Sequence, residues 1–236
     1  DKGLMVLIAG KPYINLPYSF ISLLPDKLSP QLKDKLIKYY YDKLESNPEL
    51  HDKIEFDIVH NCYDFACDLY MNELKDNGFT EKENKELRNE LLTLTNEVII
   101  NSNRIFSDDK SSLRELTNNR KQLKVSLSTD YDFQTAVGLA KKLIEDVNKY
   151  GIIQFSRIAR MAFIGRRIIS SSEKSKLLDV DLINGFWSSF PTVVNEIKND
   201  LNKLINDELN LDEFLSNYGH LRPGTYDITS LPYSKF

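Results

Sequence analysis

From Ser29 to Leu215 the chain spaces its apolar residues at helical intervals and marks helix starts with capping residues, a pattern that leaves little room for a sheet. The clearest start is Thr80-Glu81-Lys82-Glu83, a capping box in which the Thr hydroxyl and the Glu carboxylate satisfy amides that a helix end leaves without partners. Behind it Leu87, Leu91, Leu94 and Val98 form an apolar face, which predicts a helix to about Phe106 and a second, short one over Asp109–Leu123. Ser29-Pro30, an N-cap followed by Pro at the first helical position, opens a helix that should stop before Asn47-Pro48. Thr129 is placed to cap a helix from Asp130 to Tyr150 that ends at Gly151, and another should cover Ile152 to about Ser172. The pattern over Asp181–Ile205 is interrupted by Pro191, where a kink or break is expected. Strand signals are confined to two places. One is the apolar run Gly3–Ile14, punctuated by Gly10 and Pro12; the other is Phe56, Ile58, His60 and Cys62, which alternate at a period of two before the pattern turns helical near Cys67. The expected fold is mostly α, an irregular helical domain with a small β element near the N-terminus, read as a single domain over residues 1–236.

Charge narrows the partners. With 31 Lys+Arg against 35 Asp+Glu the net charge is −4, which offers no basic field for nucleic acid or an anionic membrane. The longest uncharged runs, Pro12–Pro25 and Leu182–Asn195, contain Pro and fall short of the ~20 apolar residues a spanning helix needs, so no membrane span is expected. Cys62 and Cys67 form neither a CxxC pair nor a zinc spacing, which predicts free thiols, no metal and a reducing, cytoplasmic setting. The chain starts Asp1-Lys2, so it reads as a piece of something longer, with catalytic groups expected in other parts.

No P-loop, GxSxG, HExxH or Gly-rich dinucleotide turn is present, so chemistry has to be sought in less common constellations. Only nine residues are Arg against 22 Lys, yet four of the Arg fall between Arg157 and Arg167. On a helix Arg157, Arg160 and Arg167 lie within an arc of ~80°, with Arg166 pointing away. A planar guanidinium grips carboxylate or phosphate better than an ammonium does, so this stripe is a candidate anion clamp; a salt-bridged helix face gives the same pattern. The second constellation, Tyr218–Asp227, packs His220, Arg222, Thr225, Tyr226 and Asp227 between glycines and a proline, as a polar site on a fixed backbone or as a tight surface turn. Glu55, Asp57, His60 and Cys62 include carboxylates suited to an ammonium group, although a buried strand with satisfied polar neighbours explains them equally. Tyr13, Asn15, Ser19 and Ser22 are candidates for a polar pocket wall, with turn chemistry as the alternative. Trp187, with Phe186 and Phe190, reads as core.

Four of these segments carry a resemblance: Lys11-Pro12-Tyr13-Ile14-Asn15, Lys53-Ile54-Glu55-Phe56-Asp57-Ile58-Val59, Ala159-Arg160-Met161-Ala162-Phe163-Ile164 and Tyr218-Gly219-His220-Leu221-Arg222-Pro223-Gly224-Thr225-Tyr226-Asp227-Ile228. Together they resemble the central acceptor-binding domain of phosphotransferases related to phosphoenolpyruvate synthase. Related drug phosphotransferases carry Tyr-Gly-His-Arg-Gly-Pro-Gly-Glu-Ile-Asp at the last segment. Here Leu221 intervenes and Thr225-Tyr226 replaces Glu-Ile, which is more similar to the L-glutamine kinases of capsular phosphoramidate synthesis. The resemblance implies a relay, in which an ATP-grasp domain, using ATP and Mg2+, phosphorylates a histidine on a mobile domain that then delivers the phosphoryl group to the acceptor. Both of those domains would lie elsewhere in the full-length enzyme, so this chain should bind L-glutamine or a similar small molecule, hold no cofactor and have no kinase activity alone. On that reading His220 is a base or amide-oxygen donor and Arg222 neutralises phosphoryl charge; Arg160 or Arg167 takes the α-carboxylate and Asp57 or Asp227 the ammonium. Thr225, Tyr226, Tyr13 and Asn15 complete the substrate contacts. A relay with another acceptor (pyruvate, an antibiotic or a sugar-linked group) and a helical scaffold that only positions flanking domains are the alternatives.

Overall fold

Ala9 and Gly10, both at positive φ (50° and 77°), make the tight turn that joins β1 (Met5–Ile8) to β2 (Lys11–Ile14) in an antiparallel hairpin. The computed structural model describes residues 3–126, 132–222 and 230–235, and among these the hairpin is the only sheet. All else that is regular is helical, as the capping signals require. The chain, read above as one domain, packs as two units, Asp1–Leu177 and Leu178–Phe236.

In the first unit the core is built around α2 (Pro30–Ser46). Its Leu32, Leu36, Tyr40 and Leu44, four residues apart, are buried along one face. Phe20 of α1 (Leu16–Leu23) meets Tyr40 edge-on with ring centroids 5.8 Å apart. Tyr70, Met71 and Leu74 of α3 (Cys67–Asp76) and Leu87 and Leu91 of α4 (Glu81–Ser126) close the core from the other side. Gly78, at φ +82°, stops α3: the Phe79 amide donates to the Leu74 carbonyl and the Gly78 amide to that of Lys75, both at 3.0 Å.

The capping box forms as expected. The Thr80 amide donates to Glu83 Oε2 (2.7 Å) and the Glu83 amide to Thr80 Oγ1 (3.3 Å), while Lys35 of α2 reaches the same carboxylate at 2.8 Å. The Lys35 ammonium, with the Thr80 amide, lowers the Glu83 carboxyl from 4.5 to about 2. A depressed carboxyl contributes stability above its unfolded value that is lost as pH falls through the folded one. The thermal midpoints of wild type and Glu83→Gln are therefore expected to converge as pH drops from 4.5 to about 2; a gap that stays constant over that window would contradict this origin.

Three expectations need correction. Ile54–Ile58 is a π-helical turn, closed by the Val59 amide on the Ile54 carbonyl (2.8 Å), and not a strand. Its buried residues are Ile54 and Ile58, followed without alternation by Val59 to Cys62, so the period of two was incidental. There is no break near residue 107: α4 runs for 46 residues, about 69 Å at 1.5 Å per residue. Neither Gly nor Pro interrupts its hydrogen bonds there, and Asp109, which resembled a helix start, turns its carboxylate to Arg157 instead. Gly151 does not end a helix. α5 (Phe133–Val147) passes through a π-helical turn, Asn148–Ile152, into α6 (Ile153–Lys174). A Cβ on Gly151 would lie 3.4 Å from Leu116 Cδ2, so this glycine lets α4 pack close. The cap of α5 is Asp132, whose carboxylate accepts from the Thr135 amide at 2.8 Å; Thr129 lies outside the described residues.

In the second unit α7 (Val180–Ser189) and α8 (Val193–Ile205) are separated at Pro191, as expected, and α9 (Leu211–Tyr218) follows. Each starts on a capping side chain: Asp179, Thr192 and Asn210 accept from the Asp181, Asn195 and Glu213 amides. Phe186, Trp187 and Phe190 pack together, but Trp187 is 39% exposed, so this cluster is a half-open surface and not the core expected of it. Cys62 and Cys67 are free and buried, and among the described residues no helix is long and apolar enough to cross a membrane.

Candidate functional site

α6 carries the arginine stripe, and each of its members has a partner within the first unit. Arg157 donates to Asp109, a fully buried carboxylate of α4. Arg160 donates to the Ser22 carbonyl at 2.5 Å, and burial lowers its pKa. Arg167 is the most heavily engaged: Nε donates to Asp64 Oδ2 (3.0 Å), Nη1 to the carbonyls of Phe56 (2.9 Å) and Val59 (3.2 Å), and Nη2 to His60 Nδ1 (2.5 Å). Four of the five N–H donors of a guanidinium are thus used. The π-helical turn makes this possible, because it ends the helical hydrogen bonding at Val59 and leaves carbonyls of residues 56 and 59 pointing at α6.

The aromatic neighbours of Arg167 are buried: His60, Tyr70 and Tyr40 are each less than a tenth exposed. The His60 ring stacks on Tyr70 with centroids 4.1 Å apart and planes 3° apart, and the Tyr70 hydroxyl meets that of Tyr40 at 2.7 Å. Burial, with Arg167 adding to it, lowers the His60 pKa well below the ordinary range, so the ring is neutral and its Nδ1 accepts from Arg167. His60 Nε2 stands 3.5 Å from Asp64 Oδ1 without a hydrogen bond. Asp64 is 1% exposed at its side chain, and burial raises its pKa against the opposing pull of Arg167.

Outward from this knot opens a cavity of about 120 Å3, lined among others by Phe56, Asp57, Asp64, Arg166, Arg167 and Lys174. It brings together two residues that sequence singled out, Asp57 and Arg167. Asp57 is exposed at its rim. Sequence reasoning set Arg166 aside as facing away from the stripe, yet it stands at the mouth with its guanidinium 4.1 Å from the Phe56 ring centroid. Asp64, Ser170 and Lys174 were also missed, although Arg166, Ser170 and Lys174 are spaced i, i+4, i+8 and could have been found by continuing the helical wheel.

Among the other expected residues of the first unit, Arg160, Tyr13 and Asn15 do not line this cavity. Arg160 lines a second one, of about 100 Å3, with Asp26, Glu90 and Glu97. Tyr13 is exposed on β2 and Asn15 precedes α1, its amide donating to the Leu4 carbonyl (2.8 Å); neither lines the Arg167 cavity. His220 and Arg222 belong to the second unit, where His220 is exposed and Arg222 Nε donates to the Ser230 carbonyl at 2.8 Å. Thr225, Tyr226 and Asp227 lie outside the described residues. The turn that presents His220 is closed by the Ser234 amide on the Gly219 carbonyl (2.9 Å) and the Tyr233 amide on that of Leu221 (2.8 Å). A Cβ on Gly219 would collide with the Leu215 carbonyl oxygen and fall 3.0 Å from Ser234 Cβ. Gly219→Ala is therefore expected to destabilise the second unit by about 1–3 kcal/mol, as overpacking does, seen as faster amide exchange at Tyr233 and Ser234; unchanged protection would show that the backbone absorbs the methyl freely.

No protein-family model, curated protein or solved structure matches the chain.

Proposed function

We propose that this chain is the acceptor-binding domain of a phosphohistidine-relay kinase and that its acceptor is L-glutamine, phosphorylated on the amide nitrogen. One observation carries the reading beyond the resemblance: the cavity beside Arg167 sets a carboxylate, Asp57, against a cationic wall of Arg166 and Lys174, the complement of a zwitterionic amino acid. Asp57 receives the ammonium group, and the wall receives the α-carboxylate. In the reaction the amide nitrogen forms a bond to phosphorus as the phosphorus–nitrogen bond to the carrier histidine breaks, and the amide gives up a proton. His220 as the acceptor of that proton and Arg222 as the partner of the phosphoryl charge belong to the second unit and are proposed on the resemblance alone. ATP, Mg2+ and the carrier histidine belong to other domains, so the chain alone binds and does not turn over.

Calorimetry with glutamine, glutamate, asparagine and pyruvate tests this. Glutamine is expected to bind, pyruvate, which has no ammonium group, to bind far more weakly, and Asp57→Asn to weaken glutamine about tenfold, the cost of one charge-assisted hydrogen bond. Binding indifferent to Asp57 would overturn the assignment. The competing reading, a helical scaffold between domains, draws on the internal partners of Arg157 and Arg167, and failure of every acceptor to bind would favour it.

A further inference from the structure

We propose that Arg166, Ser170 and Lys174 of α6 form an oxyanion subsite that takes a carboxylate or phosphoryl group, and that Arg167 is a positioning residue which never touches it. The inference uses the cavity of the proposed function but not the identity of its acceptor.

The usual expectation for a cavity with a buried arginine is that this arginine grips the ligand. Here it is already spent. Arg167 has hydrogen bonds to Asp64, to two backbone carbonyls and to His60, and turning its fork outward would strand Asp64, a carboxylate with 1% side-chain exposure. Asp64 is equally committed, accepting from Arg167 and from the Ala66 amide (3.0 Å). The pair cancels, which leaves Arg166 and Lys174 as two cations against Asp57 alone.

Neither of these cations has a hydrogen bond or ion pair among the described residues. The Arg166 guanidinium carbon lies over the Phe56 ring, 4.1 Å from its centroid, a cation–π contact. The Ser170 hydroxyl likewise has no partner, whereas that of its neighbour Ser171 donates to the Ile168 carbonyl and accepts from the Phe65 amide. On a helix the spacing i, i+4, i+8 turns by 40° at each step and climbs about 6 Å, so the three groups lie in a shallow arc about 12 Å long, within reach of one anion for side chains as long as Arg and Lys. All three line the same cavity. A fork donor, a hydroxyl donor and an ammonium together match the several acceptor oxygens of a carboxylate or phosphoryl group.

The test uses the 236-residue chain and two probes, inorganic phosphate and acetate, titrated with NMR detection of arginine Nε–Hε resonances. The Arg166 signal is expected to move and that of Arg167 to stay. Arg166→Ala and Lys174→Ala should each weaken the better probe about threefold or more, and the double variant tenfold or more, with unchanged circular dichroism because both side chains are exposed. Preference for phosphate identifies a phosphoryl subsite, and preference for acetate a carboxylate one. Competition of the preferred probe with glutamine would show that the acceptor's own carboxylate occupies the subsite. If phosphate or acetate binds through Arg166 while glutamine does not bind at all, the subsite stands and the glutamine reading falls. Absence of binding by both probes, a shift at Arg167 in place of Arg166, or wild-type affinity in the double variant would each overturn the proposal.

Discussion

Replacing Arg167 by Ala is expected to cost about 3–5 kcal/mol of folding free energy at neutral pH, the range for removing one partner of a buried ion pair. The magnitude follows from what remains behind. Asp64 would keep its burial and lose its cation, the Phe56 and Val59 carbonyls would lose a shared donor, and His60 Nδ1 would have nothing to accept from. The loss should also depend on pH in a definite direction. Burial already raises the Asp64 pKa with Arg167 present, and without it the carboxyl rises further. A carboxyl raised in the folded state binds protons more readily there than in the unfolded chain, so acid favours the fold. The deficit of Arg167→Ala should therefore shrink as pH falls into the acid range. Urea denaturation at pH 7 and pH 4 measures both effects; a deficit below about 1 kcal/mol at pH 7 would mean that Arg167 behaves as a surface arginine.

Leu36→Ala is expected to cost about 2–5 kcal/mol, as deletion of a fully buried leucine does when its surroundings cannot collapse. Leu36 is 0% exposed at the centre of α2, among side chains of α1, α3 and α4. Ile144 of α5 is also a large aliphatic residue on an amphipathic helix, but it is 62% exposed, and Ile144→Ala should cost less than about 1 kcal/mol. The two variants make a paired measurement by chemical denaturation. Equal losses would place the cohesion of the first unit along its whole length and not around α2.

The positions where the sequence was readable are those where a local signal decides the structure. Pro30, the Thr80–Glu83 box and Pro191 each do in the fold what their chemistry predicts, whereas Ser29 holds the N-cap position of α2 without a capping hydrogen bond from its side chain. Misreadings arose where a tertiary contact overrides the local signal. Asp109 and Gly151 resemble helix punctuation, but the first is claimed by Arg157 and the second receives Leu116, so both helices continue. The stretch from Ile54 to Cys62 alternates only on paper, because Arg167 reaches into it from more than a hundred positions away and draws its carbonyls to one side. The same holds for the site. That Arg would cluster on α6 was plain from composition; which of them is tied down and which is free depends on Asp64, Asp109 and Phe56, contacts that no helical wheel contains.

Because the π-helical turn at Asn148–Ile152 holds one residue more than an α-helix would, the long hairpin of α4 with α5 and α6 already carries what amounts to an insertion. Remove one residue from it, with α5 held in place, and everything downstream rotates by about 100°. Ile158 would then stand where Arg157 meets Asp109, and Ile168 where Arg167 meets Asp64, so that a single deletion sets a hydrocarbon against two buried carboxylates at once. The number of residues in this stretch is thus constrained as tightly as the identity of the arginines beyond it, and it is a poor place for this chain to lose length even though its own side chains are largely in solvent.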